Sequence, residues 1–200
     1  MLRINPVLFI VILFVAGFAA AYSIRFTPQR AQTEGKALIG GPFSLIDTDG
    51  KRVTDGNFRG KLMLVMFGYT HCPDVCPTEL QNIAEVMDKL GADASQVAPV
   101  FITVDPQRDT KEVLAAYVKA FNPVITGLTG SPDEVASAAK AYRVYFRKAG
   151  GGAEDYTVDH SAFVYLMDRE GNYITHFMFN TPPGTMIDAV KRYLPGGKSS

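Results

Sequence analysis

The apolar positions of the chain follow different spacings in different stretches, and each spacing predicts a different element. Phe43 and Leu45 alternate with polar neighbours up to Asp49-Gly50, and Arg52 to Thr54 follow, a pattern that predicts a hairpin closed by a D-G turn. Lys61–Tyr69 (KLMLVMFGY) is a continuous apolar run of strand length, and so is Val97–Asp105 (VAPVFITVD); such runs predict strands buried on both faces. Between them, Thr78–Leu90 sets Leu80, Ile83, Ala84, Met87 and Leu90 on one helical face, with Gly91 as the stop. A second helix is predicted from Asp109 to about Phe121, with Asp109 as the cap and Glu112 three residues on. ITGLTG reads as a short strand. Ser131-Pro132-Asp133-Glu134 then combines a cap residue, a proline at the first helical position and a glutamate at the third, opening a helix that ends near Tyr142. Phe163–Met167 and Tyr173–Phe179 are predicted strands joined by DREGN, and Pro183–Leu194 is a last amphipathic helix.

One stretch has no polar face. Ile4–Ile24 carries no charge, and as a helix it reaches roughly 30 Å, the thickness of a bilayer core. Ala19, Ala20 and Ala21 offer a signal-type cleavage site, but the length favours an uncleaved transmembrane anchor over residues 1–24. Either way, the chain beyond it is expected to be exported. Arg25, Arg30 and Lys36 follow the span while Arg3 and the free amine precede it, so the charge bias for an inside N-terminus leans weakly the wrong way. Residues 25–37 turn polar and read as a linker, leaving a domain over 38–195 and a short tail over 196–200.

Alternating strands and helices, finished by an antiparallel hairpin and a helix, predict an α/β fold with a mixed sheet. A strand-to-helix turn carrying two cysteines makes that fold thioredoxin-like. A domain of about 160 residues buries roughly 70% of its unfolded surface, so it needs no disulfide staple. The 20 acidic and 20 basic residues give zero formal charge with no Lys/Arg run, which argues against a nucleic-acid partner.

The two cysteines, Cys72 and Cys76, lie in GYTHCPDVCPTEL with a proline after each. With Pro77 at the first helical position, both thiols sit by free backbone N–H groups and the positive end of the helix, which favours thiolate. This spacing permits a disulfide if the loop holds the Cα atoms within about 7 Å. It is also wider than the C-x-x-C of thioredoxin-like oxidoreductases, a bite suited to two thiolates around one ion. A soft pair selects Cu(I) or Zn(II) and calls for a third ligand, usually imidazole. A peroxidase fits poorly: its P-x-x-x-T-x-x-C pattern requires threonine where Tyr69 and Pro73 stand.

Three histidines are available, His71, His160 and His176. His71 adjoins Cys72 and is expected to point outward, and His176 falls within a strand at a surface position. His160 stands immediately before the strand Ala162–Met167, where the loop of a thioredoxin-like sheet faces the cysteine turn. Thioredoxins place a cis-proline there, whereas here no proline occurs between Ala153 and Thr181. His160 is therefore the candidate third ligand. Met63, Met66 and Met87 fall at core positions, and Asp105–Asp109 reads as a loop that ends a strand and caps a helix, with room for a supporting role.

The segments GYTHCPDVCPTEL, VDPQRDT, AYRVYF and YTVDHSAFVYLMDREGN, in that order, resemble the Sco (SenC) family, the membrane-anchored copper-binding proteins of cytochrome c oxidase assembly. The resemblance implies a thioredoxin fold in which Cys72, Cys76 and His160 hold one copper per chain. It implies delivery of copper to the binuclear copper centre of the oxidase, or reduction of the cysteines of that centre by a thiol–disulfide reductase. The implied partners are the copper-bearing oxidase subunit, a copper-donor protein and the inner membrane. With no Arg- and Ser-rich transit segment in view, the expected location is a bacterial inner membrane, with the soluble domain in the periplasm.

Overall fold

A computed structural model describes residues 39–152 and 155–196. The expected anchor, the whole of the expected linker and residues 197–200 of the expected tail lie outside the described residues. Among the described residues no helix is long and apolar enough to cross a membrane.

The first hairpin forms as its alternation predicts, with β1 (Ser44–Asp47) paired antiparallel to β2 (Arg52–Thr54) around Asp49-Gly50. The two continuous apolar runs become β3 (Leu62–Gly68) and β4 (Val97–Thr103), parallel neighbours that are buried at every position. Burial on both faces explains why neither run alternates. Leu62, Leu64 and Met66 enter one core, and Met63, Val65 and Phe67 enter the other.

Helix α1 (Val75–Leu90) links β3 to β4 and buries Leu80, Ile83, Met87 and Leu90 against the first of these cores. Removing each such side chain from water contributes about 1.5–3 kcal/mol. The rest of the chain supplies α2 (Lys111–Phe121), β5 (Thr126–Thr129), α3 (Pro132–Ala141), β6 (Phe146–Ala149), β7 (Thr157–His160), β8 (Phe163–Met167), β9 (Tyr173–Met178) and α4 (Pro183–Arg192). The main sheet has seven strands in the order β2-β1-β5-β4-β3-β8-β9, and β6 and β7 form a separate hairpin. Its central pairs β3–β4 and β4–β5 are parallel, while β1–β2, β1–β5, β3–β8 and β8–β9 are antiparallel, the mixed sheet expected. Side chains of α1, α2 and α4 fill the first core; those of α3 and the β6–β7 hairpin fill the second.

This topology gathers the chemistry at one edge. Parallel strands β3 and β4 end together, and Val104 N–H donates to the Gly68 carbonyl at 2.8 Å. The antiparallel partner β8 starts there, with Val164 opposite Met66. The cysteine loop after β3, the Asp105–Asp109 loop after β4 and the chain leading into β8 therefore meet at the carboxyl ends of the parallel strands, where open α/β sheets place their ligand sites.

Two local expectations change. Helix α1 begins at Val75, so Cys76 is its second residue and Pro77 its third. Proline is tolerated there because the first N–H groups of a helix have no partner within it. Helix α2 is capped by Thr110, whose hydroxyl accepts from Val113 N–H, and not by Asp109. Asp109 is drawn inward instead, to partners described below.

Candidate metal and thiol site

Cys72 and Cys76 are free thiols, Cys72 half-buried and Cys76 fully buried. The Asp74 side chain makes no cap hydrogen bond at the start of α1. The Cys76 N–H points instead at the Cys72 sulfur, 3.5 Å away. Cys72 Sγ thus occupies the position of a helix-capping acceptor, where unpaired N–H groups and the helix dipole favour negative charge.

His160 arrives from the far side. The expectation placed it in a loop before β8, whereas it closes β7, paired with Phe146 of β6. Its Nε2 lies 3.1 Å from Cys76 Sγ. The two sulfurs and an imidazole nitrogen all fall within 4.8 Å of one another. The structure therefore brings all three sequence candidates together.

Charge within the group is uneven. Cys72 is pushed down to about 3, first by a hydrogen bond from the Cys76 thiol, against the opposing effect of burial, and further by His160 and the N–H groups of Cys76 and Asp74. The Cys76 thiol is pushed up by that same hydrogen bond, by burial and by the Cys72 charge. One proton is shared, and it rests on Cys76. The set so formed, a thiolate, a thiol that can yield its proton and an imidazole, suits a soft ion such as Cu(I). With no ion, it is a thiolate beside a potential resolving thiol.

Gly68 is needed where β3 ends. A Cβ at this position would lie 2.6 Å from Cys76 Sγ and 2.9 Å from Phe101 Cε2, so only glycine lets the buried sulfur approach the strand.

Around the site stands a buried polar brace that periodicity did not reveal. Asp109 accepts from Thr70 N–H at 3.0 Å, from the Thr70 hydroxyl at 2.6 Å and from the Thr103 hydroxyl at 2.6 Å, tying the cysteine loop to β4. Asp105 accepts from Arg108 Nε at 2.6 Å and from the Tyr156 hydroxyl at 2.7 Å, tying the β4 loop to the segment that enters β7. The Arg108 guanidinium lies 3.7 Å over the Tyr156 ring. The available signal was two aspartates and an arginine in VDPQRDT directly after a fully apolar run, since a buried strand leads into buried neighbours.

The remaining histidines are peripheral. His71 is exposed, with Nδ1 3.0 Å from the Thr70 hydroxyl, and His176 is exposed beside Tyr173 and Phe163. Met63, Met66 and Met87 are all buried in the cores, as their positions predict.

A thioredoxin-like domain with two cysteines and a histidine converging at the strand ends defines a thiol site competent for soft-metal or disulfide chemistry. The SCO1/SenC family model matches residues 31–195, and the chain belongs to that family. The mitochondrial SCO1 homolog 1 of Arabidopsis thaliana is 50% identical over 163 residues, covering 81% of this chain and 49% of its own length. The chain spans between 49% and 63% of the length of this and the other eukaryotic relatives it matches most strongly. Copper-bound ScoI of Bradyrhizobium japonicum matches with a TM-score of 0.73 and 48% identity, over 78% of this chain and 99% of that one. BsSco, a Sco-family cytochrome c oxidase assembly protein in which a disulfide switch was identified, matches with a TM-score of 0.62 and 26% identity, over 76% and 91% of the two chains.

Proposed function

We propose that this protein is a copper metallochaperone: Cys72, Cys76 and His160 hold one copper ion and pass it to the binuclear copper centre of cytochrome c oxidase during assembly. The observation that carries the proposal is the convergence of two sulfurs and one imidazole nitrogen within 4.8 Å. Copper bound by a relative that is 48% identical supports the choice of metal. In this reading Cys72 receives copper first as the ready thiolate, Cys76 releases its proton as it joins, and His160 adds the nitrogen that favours Cu(II). Stepwise exchange of these ligands for those of the oxidase subunit moves the ion on, and a donor protein reloads the site. Residues 1–24 anchor the chain in a bacterial inner membrane, with residues 25–37 as a tether and the domain over 38–195 in the periplasm.

The test is copper titration of the reduced protein beside Cys72→Ser, Cys76→Ser and His160→Ala. Equimolar binding is expected for the wild type. Each cysteine change should weaken it strongly, and His160→Ala should weaken Cu(II) binding most. If His160→Ala binds Cu(II) as tightly as the wild type and with the same spectrum, the three-ligand site is wrong.

A second reading is favoured by one arrangement: Cys72 and Cys76 are free thiols side by side, and hydrogen bonding holds Cys72 well below the usual thiol range. As a thiol–disulfide reductase, Cys72 would attack a partner disulfide and release one partner thiolate. Cys76 would then lose its proton and displace the second, leaving a Cys72–Cys76 disulfide and a partner reduced by two electrons. This path needs no imidazole ligand, so reduction of the oxidase copper-site disulfide that is untouched by His160→Ala would favour it.

A further inference from the structure

Tyr69 is the first residue after β3, 3% exposed and packed within the second core. Packing alone accounts for a buried aromatic ring. It does not account for the three separate ties that this residue makes to the site. Its backbone carbonyl accepts from Cys72 N–H at 3.2 Å. Its ring stands edge-on to the His160 imidazole, with centroids 5.6 Å apart. Its hydroxyl accepts from Val158 N–H at 3.2 Å, two residues before His160 on β7.

We infer that Tyr69 is a positioning residue that sets the separation between the cysteine loop and the histidine hairpin, acting through its hydroxyl on Val158 and its ring on His160. The inference rests on the copper reading above for its metal-binding readout. The geometry gives the reason. Among the described residues the β6–β7 hairpin is paired with no strand of the main sheet, so side chains contribute strongly to its distance from the cysteine loop. The Tyr69 hydroxyl holds β7 by a main-chain N–H, and so fixes the strand and not only the imidazole. Because the Tyr69 carbonyl already holds the Cys72 N–H, one rigid residue joins the two halves of the ligand set. Groups of this kind, which orient ligands without binding the ion, typically change metal affinity by 10–100-fold.

The test uses the full chain in detergent micelles, reduced and free of metal, as wild type, Tyr69→Phe, His160→Ala and Tyr142→Phe. The last removes the hydroxyl of another buried tyrosine of the same core. Three quantities are measured: Cu(I) affinity by competition, Cu(II) affinity with its thiolate-to-copper absorption, and amide exchange at Val158 without copper. Tyr69→Phe should keep Cu(I) affinity within about twofold, since the thiolates carry it. Cu(II) affinity should fall roughly tenfold, its absorption should move toward that of His160→Ala, and the Val158 amide should exchange about tenfold faster. Tyr142→Phe should change none of these.

A Tyr69→Phe protein that matches the wild type in Cu(II) spectrum and Val158 exchange overturns the inference while leaving the copper reading intact. Equal loss of Cu(I) and Cu(II), or the same losses in Tyr142→Phe, means general loosening of the core and also overturns it. A wild type that binds no copper overturns the function proposed above, and Val158 exchange then decides the role of Tyr69 alone. If Tyr69→Phe does not fold, the wild-type amide decides: protection at Val158 supports the inference, and exchange at the rate of an open amide overturns it.

Discussion

Cys72 and Cys76 differ in protonation because one proton serves two sulfurs of unequal surroundings. Cys72 is half-buried and receives N–H groups at the helix start, whereas Cys76 is sealed beneath Gly68 and Phe101. In the reduced, metal-free protein, iodoacetamide should therefore modify Cys72 at a rate nearly constant from pH 5 to 8, with Cys76 unreactive until denaturant is added. Peptide mapping reads this directly, and preferential modification of Cys76 would reverse the assignment. The same pair sets a pH dependence of stability. Unfolded thiols titrate near 8.5, so between the folded pKa of Cys72, about 3, and that value the unfolded chain holds one more proton on the pair, and stability rises with pH. Above it the unfolded chain has lost both protons while Cys76 keeps its own, and stability falls. The pair's contribution should peak near pH 8–9 in urea titrations and vanish in the Cys72→Ser, Cys76→Ser double variant. Gly68→Ala should destabilise by about 1–3 kcal/mol through overpacking against Cys76 Sγ. A urea midpoint equal to that of the wild type would show that the sulfur has room to move.

At the level of elements, periodicity revealed what packs and missed what braces. The apolar runs of β3 and β4, the face of α1 and the Ser131–Glu134 capping box were all legible, because each is a local pattern with a local cause. The β6–β7 hairpin was not, since FRKA buries no residue fully and TVDH buries only Val158. His160 was found as a site candidate by its place before β8, but its strand was not. Asp109 shows the conflict most clearly. Both Asp109 and Thr110 can cap a helix, and the choice is made by Thr70, 39 residues away, together with Thr103 at the end of β4. Asp109→Ala should thus cost more than loss of a cap, about 3 kcal/mol for a carboxylate that accepts three bonds, against about 1 kcal/mol for Thr110→Ala. Denaturant midpoints of the two variants give the order, and a larger cost at Thr110 would restore Asp109 to the role of cap.

For the whole molecule, the site is assembled from three stretches far apart in the chain: the β3–α1 turn, the β4–α2 loop and the hairpin before β8. Its ligands share one short junction, where the strand ends meet and buried aspartates join the loops to each other and to the entry of β7. An ion held by both the turn and the hairpin would add a covalent-strength cross-link to the hydrogen bonds that already join them, and it would bind the folded state more tightly than the unfolded chain, which keeps Cys72 and Cys76 close but separates them from His160. Linkage then predicts the size of the effect. Free copper at a hundred times the dissociation constant should add about 2.7 kcal/mol, which for a domain of this size raises the melting temperature by roughly 5–10 °C. Chelation should return it to the metal-free value. The two oxidation states should separate in His160→Ala: the rise with Cu(I) should largely remain, since the cysteines of the turn suffice, while the rise with Cu(II) should shrink along with the link to the hairpin. Differential scanning calorimetry of the wild type and this variant with each ion measures both. Equal rises in the two proteins with Cu(II) would mean that copper rests on the turn alone and leaves the hairpin free.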